Sequence, residues 1–169
     1  YSCYGPNRFY DPSYFRFQPW YCFKYGMTGS IIWVYSDYPD NWNEYAVTGG
    51  LSYSMVYLSP DSTTPTKLWE AFREGVQDYG YLEMLRNQLR KASPEKLKKA
   101  ALILGKGVSP DKIMETLVEQ VMKEKFFEGG RDKLAWRKET PCVSADRARF
   151  LILDILKILQ DDNAPAVSK

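Results

Sequence analysis

Read along the chain, apolar and polar positions change their period twice. "SIIWVY" (residues 30–35) is β-branched and aromatic without alternation, the pattern of a strand covered on both faces. Before it, "DPSYFRFQPWYCFKYGMTG" reads as a helix. Asp11 serves as N-cap, Pro12 takes the first helical position, and Gly26 or Gly29 closes it. Pro19 is expected to kink or split that helix. With "YSCY" as a preceding strand, the order is strand, helix, strand, a βαβ unit that implies a parallel sheet.

A long irregular region follows from Ser36 to Thr64, with a short strand within "SYSMVYLS". From there the period is helical. Thr64-Pro65 opens a helix to about Ala92 with an apolar stripe of Trp69, Phe72, Val76, Tyr79, Leu82, Leu85 and Leu89. A polar stripe of Glu70, Arg73, Glu74, Gln77 and Asp78 lies beside it. Three more helices are punctuated by Ser93-Pro94 and Gly105, by Ser109-Pro110 and Gly129, and by Ser144 with Asp146. The last, "RARFLILDILKILQ", is apolar nearly all round and is expected at the centre of the helical group. The tail, residues 161–169, reads as disordered.

Composition narrows the chemistry. A length of 169 residues suits one domain, and 23 basic against 21 acidic residues leave a net charge of +2, which favours neither nucleic acid nor an anionic membrane. Residues 1–60 carry three basic and four acidic side chains amid many aromatics, too little positive charge for a single-strand nucleic-acid groove. No leader or long apolar run is present, so no membrane span is expected, and a chain beginning at Tyr1 is expected to be a processed or excised piece. The absence of histidine excludes histidine-based triads and Cys/His zinc sites within this sequence. The three cysteines lack metal-site spacing and read as buried thiols; no metal or cofactor is expected.

The stretches "PWYCFKYGMTGSIIWVYSDYPDNW" and "TKLWEAFREGVQDYGYLEML" resemble the C-terminal part of the glycoside hydrolase family 123-like catalytic domains, also catalogued as domain of unknown function 4091. Glu70, Arg73, Glu74, Gly75, Asp78, Tyr79, Tyr81 and Leu82 match that family's helix pattern in register, while Leu68 stands where the family often has arginine. The resemblance covers about residues 1–92. It implies an α/β fold, the last strand–helix units of a (β/α)8 TIM-like barrel, followed by a three-helix extension over 93–160. One βαβ unit cannot close a sheet, so the rest of the barrel is expected upstream of Tyr1.

The resemblance also implies an N-acetylhexosaminidase-like, substrate-assisted hydrolase of polysaccharides, with a secreted, periplasmic or cell-surface location. Its adjacent Asp-Glu pair is absent from this sequence, so no catalytic residue is assigned here. The substrate-facing candidates are Trp33, Tyr35 and Asp37, which alternate along the strand end, with Tyr57 and with Tyr4 and Asn7 at the preceding strand. Aromatic rings stack on the apolar face of a pyranose and carboxylates accept hydrogen bonds from its hydroxyls, making carbohydrate the expected partner. Trp33 fits barrel core equally, and Tyr57 fits packing against a helix. Glu70 and Arg73 are expected to support the strand-end loop through ion pairs rather than catalyse. A non-catalytic carbohydrate-binding or structural relative is the alternative.

Overall fold

The computed structural model describes residues 2–4, 12–32, 35–36, 54–122 and 142–160. They form a mixed α/β, helix-rich chain. In order come β1 (Ser2–Tyr4), α1 (Pro12–Lys24), β2 (Ser30–Ile32), β3 (Val56–Ser59), β4 (Ser62–Pro65), α2 (Lys67–Leu89), α3 (Pro94–Leu104), α4 (Ile113–Met122) and α5 (Cys142–Gln160). The described residues fall into two compact units that meet in sequence within α2, one ending at Gln77 and the other beginning at Asp78.

In the first unit the strand–helix–strand order is realised. β1 and β2 pair in parallel, with Ser2 beside Ser30, Cys3 beside Ile31 and Tyr4 beside Ile32. α1 starts at Pro12, whose missing N–H costs nothing in a first turn. It then continues through Pro19 as one helix; the expected split does not occur. Gly26, at φ +63°, closes it: its N–H donates to the Phe23 carbonyl, and the Met27 N–H reaches back to that of Cys22. Both bonds satisfy carbonyls that the helix end would otherwise orphan. Cys22 is a buried thiol whose Sγ lies 3.7 Å from the Gly29 carbonyl.

The region expected to be mostly irregular contains an antiparallel hairpin. β3 pairs with β4 from Val56·Pro65 to Ser59·Ser62, so Thr64 and Pro65 belong to a strand rather than opening α2. The cap is Thr66. Its Oγ1 accepts the N–H groups of Leu68 and Trp69 at 3.2 and 3.3 Å, while the hydroxyl and the Thr66 N–H both donate to the Met55 carbonyl. Thr66→Val keeps the bulk and loses these bonds, which is expected to cost about 1 kcal/mol in urea unfolding. The core here gathers Phe15 from α1, Met55 and Val56, and Leu68 and Ala71 from α2, with Ile32, Leu58, Trp69 and Phe72 packed around them.

The first half of α2 is rotated about one residue from its expected phase, while Leu82 and Leu85 are buried as expected. Leu68, Ala71, Gly75, Asp78, Leu82 and Leu85 are buried in a 3–4 repeat, while Val76, assigned to the apolar stripe, is exposed. Gly75 is where α1 comes closest. A Cβ there would sit 3.0 Å from the carbonyl carbon of Arg16 and closer still to its oxygen. Beside this contact Glu74 pairs with the buried Arg16 at 3.4 Å.

The second unit is helical. Ser93 caps α3 by accepting the Lys96 N–H, Pro94 takes the first position, and Gly105 ends it, as the punctuation predicts. Pro110–Lys112 forms a 3-10 turn ahead of α4. The Ser109 hydroxyl, bonded to Asp111, holds that carboxyl below its ordinary value. α5 begins at Cys142, two residues before the expected Ser144. It is not buried all round: Ala145, Ala148, Ile152, Ile155 and Leu159 form an inward heptad stripe, whereas Val143 and Phe150 face solvent. Lys96 donates to the Leu159 carbonyl at 2.9 Å and caps the end of α5. Arg149 reaches Asp78 at 2.6 Å. Among the described residues no helix is long and apolar enough to cross a membrane.

Candidate functional site

β1 and β2 run parallel, and in sequence Tyr35 follows the C-terminal end of β2. Beyond β2, Tyr35 is fixed through its backbone, its carbonyl accepting the Met55 N–H at 2.9 Å, and the next residue, Ser36, bridges to Ser54 in antiparallel sense. The same Met55 offers its own carbonyl to the cap of α2. One residue thus ties the strand exit to the first turn of α2.

That tie sets two aromatic rings together. Tyr35 and Trp69 meet edge to face, with centroids 5.7 Å apart and planes at 87°, a geometry that suits the ring quadrupoles. Trp69 is half-buried against the core, whereas Tyr35 keeps 51% of its surface in solvent. The result is an exposed tyrosine on a held backbone, braced by a tryptophan. Sequence reasoning assigns Trp69 only to the helix core. The signal that distinguishes it is its place in the first turn of a helix that follows a strand-end loop.

Glu70 and Arg73 form an ion pair within α2, Arg73 Nε at 2.8 Å and Nη2 at 2.7 Å from Oε2 of Glu70. Both side chains are about half exposed, so the pair steadies the helix surface by less than about 1 kcal/mol. Arg73 stands one turn after Trp69, on the same side of the helix. Tyr57 occupies β3 opposite Thr64, and strand alternation turns it to the hairpin face away from Val56 and Leu58. Tyr4 ends β1; Trp33, Asp37 and Asn7 lie outside the described residues.

The family-like helix positions carry contacts of their own. Glu70 holds Arg73, Glu74 holds Arg16, Gly75 admits the α1 backbone, Asp78 holds Arg149, and Leu82 is fully buried. Glu70, Glu74 and Asp78 are each engaged by an arginine. The second unit contains a cleft of about 550 Å³, floored by Leu89, Leu97 and Met114 and rimmed by Arg86, Arg90 and Asp111. Of these, Arg86 is paired with Glu83. Among the described residues no group of three or more Cys, Asp or Glu side chains is placed to hold a metal ion.

No family model, curated protein or solved structure matches this chain.

Proposed function

We propose that this chain is the C-terminal portion of a glycoside hydrolase-like (β/α)8 barrel and supplies part of its carbohydrate-binding wall. The observation that carries this reading is Tyr35. It follows the C-terminal end of a parallel strand, where such barrels bind substrate, and presents a half-exposed ring braced by Trp69. A pyranose of the N-acetylhexosamine class would stack its apolar face on that ring, with hydroxyls directed to carboxylates of the strand-end loop. A lone parallel pair buries neither of its faces fully, so the reading requires further strands outside this sequence. Trp33 and Asp37 belong to the same proposed wall, and Glu70 with Arg73 keeps the first turn of α2 in register behind it.

The sequence contains no adjacent Asp-Glu pair, and Glu70 and Glu74 are both bonded to arginines. Those facts favour, as a second reading, a barrel relative that binds sugar without cleaving it. Titration of N-acetylhexosamine oligosaccharides into the protein carrying this chain separates the outcomes. Tyr35→Ala is expected to weaken binding about tenfold, equivalent to about 1.4 kcal/mol, with thermal stability little changed. Unchanged affinity in that variant, or no binding by the parent, would remove the wall. Binding without turnover of aryl N-acetylhexosaminides would select the second reading.

A further inference from the structure

α5 buries one apolar side in the fold and leaves Val143 and Phe150 exposed on the other. Opposite its buried stripe runs a second line of Val143, Arg147, Phe150, Asp154 and Lys157, spaced 4-3-4-3 and confined to one narrow strip of the helix. Val143 is 56% and Phe150 66% exposed, and Leu151 and Ile158 flank the line half-buried. An exposed valine and phenylalanine one heptad apart, with charges between and beyond them, are the outline of a helix–helix seam.

The charges on the line identify its occupant. From this self-complementary pattern we infer that α5 pairs antiparallel with α5 of a second copy of this chain. Turned end for end about Phe150, the second copy sets its Asp154 across from Arg147, and by symmetry its Arg147 across from Asp154. Phe150 meets its own equivalent at the two-fold axis, and the Lys157 stem lies over Val143. A parallel arrangement would oppose arginine to arginine and aspartate to aspartate. Arg147 has no ion pair within the described chain, and Asp154 holds only the exposed Lys157 at 3.2 Å, a weak contact that is readily exchanged. The net charge of +2 opposes self-association little. One helix per partner lies at the small end of specific interfaces, so the association is expected in the micromolar range.

Sedimentation equilibrium of the protein carrying this chain, from about 5 to 300 µM, tests this. The mass should rise toward that of a dimer, and Phe150→Asp should stay monomeric with an unchanged circular dichroism spectrum, since the side chain is exposed. Arg147→Glu and Asp154→Arg should each weaken association about tenfold or more, and the double reversal should restore it. A monomer throughout that range would overturn the inference and leave the stripe to another segment or another protein. Association that depends on Phe150 but ignores both single reversals would overturn the antiparallel seam.

Discussion

Gly75→Ala is expected to lower the stability of this chain by about 1–2 kcal/mol, while Gly80→Ala, five residues along the same helix, is expected to raise it. Alanine is the better helix former at either position by about 1 kcal/mol. At Gly80 that preference acts alone, because a Cβ there has no heavy atom within 4 Å. At Gly75 the methyl group meets the Arg16 backbone, which cannot swing aside as a side chain would. Relief requires α1 and α2 to separate, and overpacking of this kind costs about 1–3 kcal/mol or more. Separation also weakens the Arg16–Glu74 pair and loosens Phe15 against Leu68 and Ala71. Urea unfolding measures both variants: opposite shifts of the midpoint at an unchanged slope are expected. Equal shifts of one sign would mean that α1 does not approach α2 at Gly75.

The elements that local chemistry determines were the legible ones. Pro12, Gly26, Ser93-Pro94 and Gly105 punctuate their helices because each satisfies or removes an orphaned backbone group, whatever lies elsewhere in the chain. Thr64-Pro65 has the same local form as Ser93-Pro94 and lies in a strand. There, pairing of Val56 with Pro65 and of Tyr57 with Thr64 decides the outcome, and no cap signature contains that long-range contact. A proline at the end of an edge strand gives up no ladder bond that matters.

The phase of the first half of α2 was lost for a related reason. Hydropathy places Val76 inside and Asp78 outside, but Asp78 is buried with a partner 71 residues away, and Gly75, which belongs to neither stripe, is buried by a backbone approach. Neither cause has an apolar signature. Tyr35 itself was legible as an aromatic just beyond a strand, where a β-branched run gives way to aromatics. Its brace was not, since Trp69 reads as one more apolar residue until the Met55 tie brings the two rings together. The TIM-like barrel itself rests on the resemblance and on the need of a βαβ unit for neighbours; the described strands form one parallel pair and one hairpin.

Loss of Arg149 should be among the most destabilising single changes on the chain's charged residues. Its Nε lies 2.6 Å from Oδ1 of Asp78, whose side chain is fully buried, while Arg149 keeps about a fifth of its surface in solvent. Arg149→Met preserves much of the aliphatic stem and removes the guanidinium from a carboxylate that water cannot reach. A buried charge deprived of its partner costs about 3–5 kcal/mol, against less than about 1 kcal/mol for breaking an exposed pair such as Glu70–Arg73. The asymmetry arises because the pair's attraction only offsets desolvation already incurred by Asp78 on folding. It follows that Asp78→Leu combined with Arg149→Met should be far less damaging than Arg149→Met alone, since the double change removes the charge together with its partner. A double-mutant cycle in urea, with Arg73→Met as the exposed reference, is the measurement. A cost for Arg149→Met no larger than that for Arg73→Met would show that other groups suffice to hold the Asp78 carboxylate, and the contact between α2 and α5 would lose its electrostatic basis.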